Sequence, residues 1–215
     1  MNMKINNKKQ IDEQNNKINI ISIKNYKKKY QGFVLNIPSF DFERGKIYLV
    51  VGHNGCGKST LIKSILGLVK YEGIITINTK KIAYMPERLM KLYNIKVIDY
   101  IKMILSLDKK RIDNCFIQLL LDKYNLDKNK KLSELSKGML QKVNIIVTFL
   151  LDKDLILLDE PINGLDNNTK KDFFELINNE NKRGKSIIII SHYNDFSDFR
   201  YYKLVKIEEG SLCSL

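Results

Sequence analysis

The sequence predicts an α/β fold built on a mostly parallel sheet, and three observations carry that prediction. Short unbroken apolar runs recur at KIYLVV (46–51), DLILLD (154–159) and SIIII (186–190). Runs of this kind read as strands buried on both faces, as parallel strands usually are. Segments of helical spacing lie between them, and strands joined by helices imply parallel pairing with right-handed crossovers. The first run also passes straight into the glycine-rich stretch GHNGCGKST (52–60), which a helix continues.

Taken in order, residues 1–17 read as a flexible polar leader without the apolar stretch of a signal peptide. INIISIK (18–24) and FVLNIPSFDF (33–42) have strand character, and Pro38 suits an edge. KIYLVV is expected to be a central strand, followed by a helix from about Lys58 to Leu68 and short strands at 73–78 and 81–85. From Val97 to Tyr124 the spacing turns helical. Val97, Ile98, Ile101, Ile104 and Leu105 form one stripe, and Ile117, Leu120 and Leu121 another. A Lys/Asn/Asp-rich connection at 127–131 precedes a third helix starting near Ser136. A helix at 172–182 separates the strands at 154–159 and 186–190, and YKLVKI (202–207) is expected to be the last strand.

The chain of 215 residues is 44% apolar, enough for one packed domain or two small lobes around one core. Its longest candidate, Val143 to Leu151, is about half of the roughly 18 apolar residues a membrane span requires and contains Asn144 and Thr148. The chain is therefore expected in the cytosol, reaching a membrane only through a partner. Cys56, Cys115 and Cys213 lack metal-ligand spacing, and two histidines are too few for a cluster, so a metal would need oxygen ligands. The net charge of +13 raises nucleic acid or anionic lipid as partners. Much of the excess lies in short lysine runs, which read as solvated faces.

GHNGCGKST matches the phosphate-loop pattern G-x-x-x-x-G-K-[ST] in the right place, between a buried strand and a helix. Gly52, Gly55 and Gly57 let successive N–H groups turn inward to phosphate oxygens, and the helix start adds its dipole. Lys58 can reach the β- and γ-phosphates, and the Ser59 hydroxyl can ligate Mg²⁺. Asn54, Cys56 and Thr60 belong to the same nucleotide-contacting stretch, so Cys56 is expected to react with thiol reagents when the site is empty. In DLILLDEP (154–161), a strand delivers Asp159 for Mg²⁺. Glu160 then points differently by strand alternation, toward an attacking water, as a general base would.

These motifs establish a phosphate-loop nucleotidase, and LSKGMLQKV (135–143) narrows the class. It resembles the signature of the ABC ATPases, whose core is Leu-Ser-Gly-Gly-Gln. Leu135, Ser136 and Gly138 match, Lys137 and Met139 depart, and Gln141 and Lys142 fit the family's continuation. Four weaker matches follow the family's order. Tyr30, with Tyr26 as a competitor, resembles the adenine-stacking aromatic. YMPE (84–87) resembles the segment that normally carries a glutamine on Mg²⁺ and the attacking water, here Glu87. INGLD (162–166) resembles the loop whose aspartate, Asp166, reaches toward a partner subunit. His192, just past a strand, resembles the switch histidine that would contact the γ-phosphate.

The resemblance covers residues 18 to about 210 and implies a single ABC ATPase domain at 18–215. Its parts would be a phosphate-loop core with a mostly parallel sheet, an antiparallel β subdomain and an inserted helical subdomain at about 88–150. It further implies ATP and Mg²⁺ as cofactors, with Lys58, Glu160 and His192 catalytic and Ser59, Glu87 and Asp159 near the metal. A head-to-tail dimer of ATPase subunits, identical or different, would sit on the cytoplasmic face of a membrane, beside a separate membrane-spanning permease. Glu87 and the SKGM signature are similar to the branch that mostly exports drugs, peptides or lipids. The rival classes are a soluble ABC ATPase acting on nucleic acid or ribosomes and a subunit that binds nucleotide without hydrolysing it. The first usually needs a second nucleotide domain or a long coiled coil, and the second is disfavoured by the full set of catalytic residues.

Overall fold

The computed structural model describes residues 18–88, 94–192, 196–197 and 199–214, so the 1–17 leader lies outside the described residues. β1 (Asn19–Tyr30), β2 (Phe33–Glu43) and β4 (Glu72–Ile77) form an antiparallel sheet in the order β2-β1-β4. The second sheet runs β5-β6-β7-β3-β8-β9, from β5 (Ile82–Met85) through β6 (Leu155–Asp159), β7 (Ser186–Ile190), β3 (Ile47–Val51) and β8 (Lys203–Glu208) to β9 (Ser211–Ser214). All its pairs are parallel except β8 with β9. The helices are α1 (Lys58–Ile65), α2 (Val97–Leu107), α3 (Asn114–Lys123), α4 (Lys137–Leu150) and α5 (Asn167–Lys182).

Every residue of β3, β6 and β7 is buried, as their unbroken apolar runs require of strands covered on both faces. On one face, Tyr48, Val50, Leu155 and Leu157 pack with Leu61 and Ile62 of α1 and with Ile21, Ile23, Leu35 and Ile37 of the antiparallel sheet. On the other, Leu49, Ile156, Leu158, Ile187 and Ile189 meet Ile145 of α4 and Phe173 and Ile177 of α5. A separate core holds the helical lobe, where Val97, Ile101, Leu105, Ile117 and Leu121 pack on Val143, Ile146 and Val147 of α4. Helix α4 therefore belongs to the lobe and the main body at once.

Several boundaries differ from the sequence reading for physical reasons. β1 runs on through the lysines to Tyr30 because β2 pairs with it along its whole length, to Tyr30 opposite Phe33. Pro38 does lie on an edge strand of that sheet. α1 stops at Ile65, and the chain turns through Gly67 in the left-handed region. α5 begins five residues before the apolar pattern shows it, at Asn167 rather than 172, because Asp166 caps it. β9 was not foreseen, since Ser-Leu-Cys-Ser is too short and polar to show alternation.

Candidate active site

β3 delivers the chain to the 52–57 loop, and α1 starts immediately at Lys58. Gly57 caps that helix at φ 105°, and a Cβ there would come within 2.9 Å of the Phe33 ring, so the turn requires glycine. The open N–H groups of the first turn of α1 and its positive dipole end belong to this wall of the site. Lys58, itself buried, curls back over the loop and donates to the Gly52 carbonyl at 2.7 Å and to that of His53 at 3.2 Å. It thereby places a cation at the base of an anion-binding turn.

The opposite wall is acidic. β6 ends at Asp159, which is almost fully buried and accepts a hydrogen bond from Ser59. Loss of solvent raises its carboxyl to about 6; the Ser59 bond opposes the shift, while the charges of Glu160 and Glu87 add to it. A carboxylate held this way favours a cation beside it. Glu160 follows at φ 50°, so it is aimed by a left-handed backbone turn and not by the strand alternation expected from sequence. Its N–H donates to the Ile190 carbonyl at 2.8 Å, and the fully buried Ser191 hydroxyl donates to its Oε2 at 3.1 Å. His192 Nε2 lies 3.8 Å from Glu160 Oε1, close enough for charge to matter but too far for a hydrogen bond.

Between these walls lies a cleft of about 480 Å³ lined by Asn54, Gly55, Gly57, Lys58, Ser59, Thr60, Glu87, Asp159, Glu160, Asn163 and His192. Ten of the residues singled out from sequence thus meet in one place. Asn163 joins them unforeseen, its only signal being its place in INGLD. Ser191 and Gln141 also fall outside the candidate site residues, Gln141 having been marked in the sequence only as part of the signature's continuation.

The remaining candidates lie elsewhere. Tyr30 is half-exposed at the end of β1 with Lys28 Nζ 4.9 Å from its ring, away from the cleft lining. Tyr26 is core, fully buried and hydrogen-bonded to Ser64 at 2.7 Å. Gly52 is behind the cleft, with Lys58 on its carbonyl. Leu135 is buried in the lobe core. Ser136 is exposed and caps α4, accepting from the Met139 N–H at 3.2 Å. Gly138 passes so close to the 160s loop that a Cβ would sit 2.6 Å from the Gly164 carbonyl oxygen. Asp166 caps α5 through Thr169, which holds its carboxyl down to about 2, and it also meets Lys142 at 3.3 Å. None of the signature residues touches the cleft of its own chain.

Cys56 requires a correction. Its side chain is 1% exposed and packed in the core beneath the loop, so it faces away from the nucleotide side. Bulky thiol reagents should therefore label the exposed Cys115 and Cys213 and leave Cys56 untouched, with or without nucleotide. Peptide mapping after labelling checks this, and modification of Cys56 in the native chain would contradict the packing.

Comparison with known proteins adds to this geometry. A family model described as ABC transporter matches residues 35–163. An uncharacterised ABC transporter ATP-binding protein of Methanocaldococcus jannaschii is 35% identical over 74% of the chain and 62% of its own length. A lantibiotic transport ATP-binding protein of Streptococcus pyogenes is 30% identical over 88% of the chain and 90% of its own. A zinc import ATP-binding protein of Ehrlichia ruminantium is 32% identical over 84% and 76%. The chain spans under two thirds of the Methanocaldococcus relative and 44% of a relative from Clostridium tetani. Among solved structures, the ATP-binding subunit of an ABC transporter superposes with a TM-score of 0.78 at 25% identity, over 91% of this chain and 90% of that one.

Proposed function

The chain belongs to the ABC transporter family, and we propose that it is an ATP-binding and ATP-hydrolysing subunit that powers transport through a separate membrane-spanning subunit. One observation carries the reading. Lys58, Ser59, Asp159, Glu160 and His192 converge on a single cleft, while Ser136 and Gly138 stand outside it on an exposed helix start. That division fits a site completed by the signature of a second chain in a head-to-tail dimer.

The donor set fits Mg²⁺, since Ser59 and Asp159 are in contact and Glu87 shares the wall, all offering hard oxygen ligands. Bound there, Mg²⁺ would neutralise phosphate charge. Lys58 and the loop N–H groups would hold the β- and γ-phosphates in place. Glu160 would take a proton from the water whose oxygen attacks the γ-phosphorus, as the bond to the bridging oxygen breaks and ADP leaves with that electron pair. His192 would contact the γ-phosphate from beside Glu160. The adenine contact falls to Tyr30 in this reading, because Tyr26 is used in the core.

No helix among the described residues is long and apolar enough to cross a membrane, which fits a permease carried on another chain and a place at the cytoplasmic face. Export is supported by Glu87 and the SKGM signature; the lantibiotic transport relative is matched over 90% of its length. The zinc import relative is matched over 76%.

The test is to recover the tagged chain from detergent-solubilised membranes. A co-purifying polypeptide with several apolar spans of about 20 residues would support transport. The net charge of +13 favours a second reading, an ATPase acting on nucleic acid or ribosomes. Recovery with ribosomes, or turnover strongly stimulated by RNA, would select that reading instead.

A further inference from the structure

Beyond the residues already assigned to the cleft, we infer that Gln141 is a positioning residue for Glu160, holding the backbone turn that aims the carboxylate. Gln141 stands on α4, nearly fully buried at 5% exposure, and does not line the cleft. Its one side-chain amide nitrogen donates both N–H bonds, to the Glu160 carbonyl at 2.9 Å and to the Pro161 carbonyl at 2.9 Å. Those are the carbonyl of the left-handed residue through which the chain leaves β6 and the carbonyl of the residue after it. A non-glycine residue at φ 50° persists only when its surroundings hold it there.

Three contacts from two parts of the fold share the hold. The Ile190 carbonyl fixes the Glu160 N–H, Ser191 fixes its carboxylate, and Gln141 fixes its carbonyl. The first two contacts come from the chain around the end of β7, in the same sheet as Glu160. Gln141 alone of the three brings a contact from the helix that Ser136 caps. One turn further along α4, the buried Asn144 donates to the Pro86 carbonyl at 3.1 Å, next to Glu87. One buried helix face thus ties the signature end of α4 to both acidic arms of the cleft. An apolar side chain at position 141 would take this donor from both carbonyls, leaving the Glu160 carbonyl to the longer bond from the Asn163 N–H at 3.4 Å. The turn at Glu160 would then relax, and the carboxylate would move relative to the phosphate loop.

The inference rests on Glu160 as the general base, and its test separates the two. Gln141→Met keeps length and packing but removes the donor. It should lower kcat about tenfold or more while leaving KM for ATP unchanged, because the phosphate loop is untouched. In single-turnover assays, Gln141→Met added to Glu160→Gln should cost little beyond Glu160→Gln alone, since the two act as one unit. Gln141→Glu, which keeps shape and presents an acceptor to the two carbonyls, should behave like Gln141→Met. Gln141→Asn, one methylene short, should lie between Gln141→Met and the parent. If Glu160→Gln lowers turnover but the Gln141 variants turn over normally, or their losses simply add, Gln141 does not position the base. If Glu160→Gln itself turns over normally, the base assignment fails first.

Discussion

Glu160→Gln should bind Mg²⁺–ATP with unchanged affinity and lose about 10²–10⁴-fold in turnover, the range a general base supplies. The amide keeps the shape and can still accept the Ser191 hydroxyl bond at the Oε2 position, so the fold and the cleft should survive. It removes only the group proposed to accept the proton. If the proposed dimer forms on ATP and parts on hydrolysis, the variant should also accumulate as an ATP-bound dimer on gel filtration. Phosphate release at the parental rate would exclude Glu160 as the base and leave His192, 3.8 Å away, as the group to examine.

Asp159→Asn should produce two opposite effects. Turnover should collapse with loss of the anionic ligand proposed for Mg²⁺, whereas the nucleotide-free, metal-free protein should become more stable at neutral pH. The sign follows from the raised carboxyl, at about 6 in the fold against an ordinary 3.8. The folded state then binds its proton more tightly than the unfolded chain does, so ionisation opposes folding. The penalty is absent below about pH 4, grows between about 4 and 6, and is complete above, with an upper bound of about 3 kcal/mol. Thermal unfolding in chelator should show the variant gaining most above pH 6 and nothing near pH 4. A pH-independent difference, or a less stable variant at pH 7.5, would mean that the buried carboxylate is already well compensated by Ser59 and Lys63.

The parts of the fold most legible in sequence were those driven by one strong local force. The buried strands announced themselves as unbroken apolar runs, and the phosphate loop as glycines between a strand and a helix. Harder to see was whatever depends on pairing between distant segments. β1 reaches Tyr30 because of its partner strand, against the polarity of its own lysines. At the site, motif spacing brought Lys58, Ser59, Glu87, Asp159, Glu160 and His192 to one cleft. The direction of side chains was less accessible, since it depends on backbone turns and packing. Glu160 is aimed by a left-handed turn, and Cys56 sits in the loop yet points into the core. Ser191, and the contacts that Gln141 makes, were hidden for the same reason, because each acts through a neighbour that only the folded chain provides.

The most direct measurement is the specific ATPase activity of the purified chain as a function of its own concentration, with Mg²⁺ and saturating ATP. With the phosphate loop and the signature on separate surfaces of each chain, activity per chain should rise with concentration as dimers form, and should vanish on chelation. Activity per chain that is flat at every concentration, from protein that stays monomeric with ATP, would contradict a site completed by a second copy.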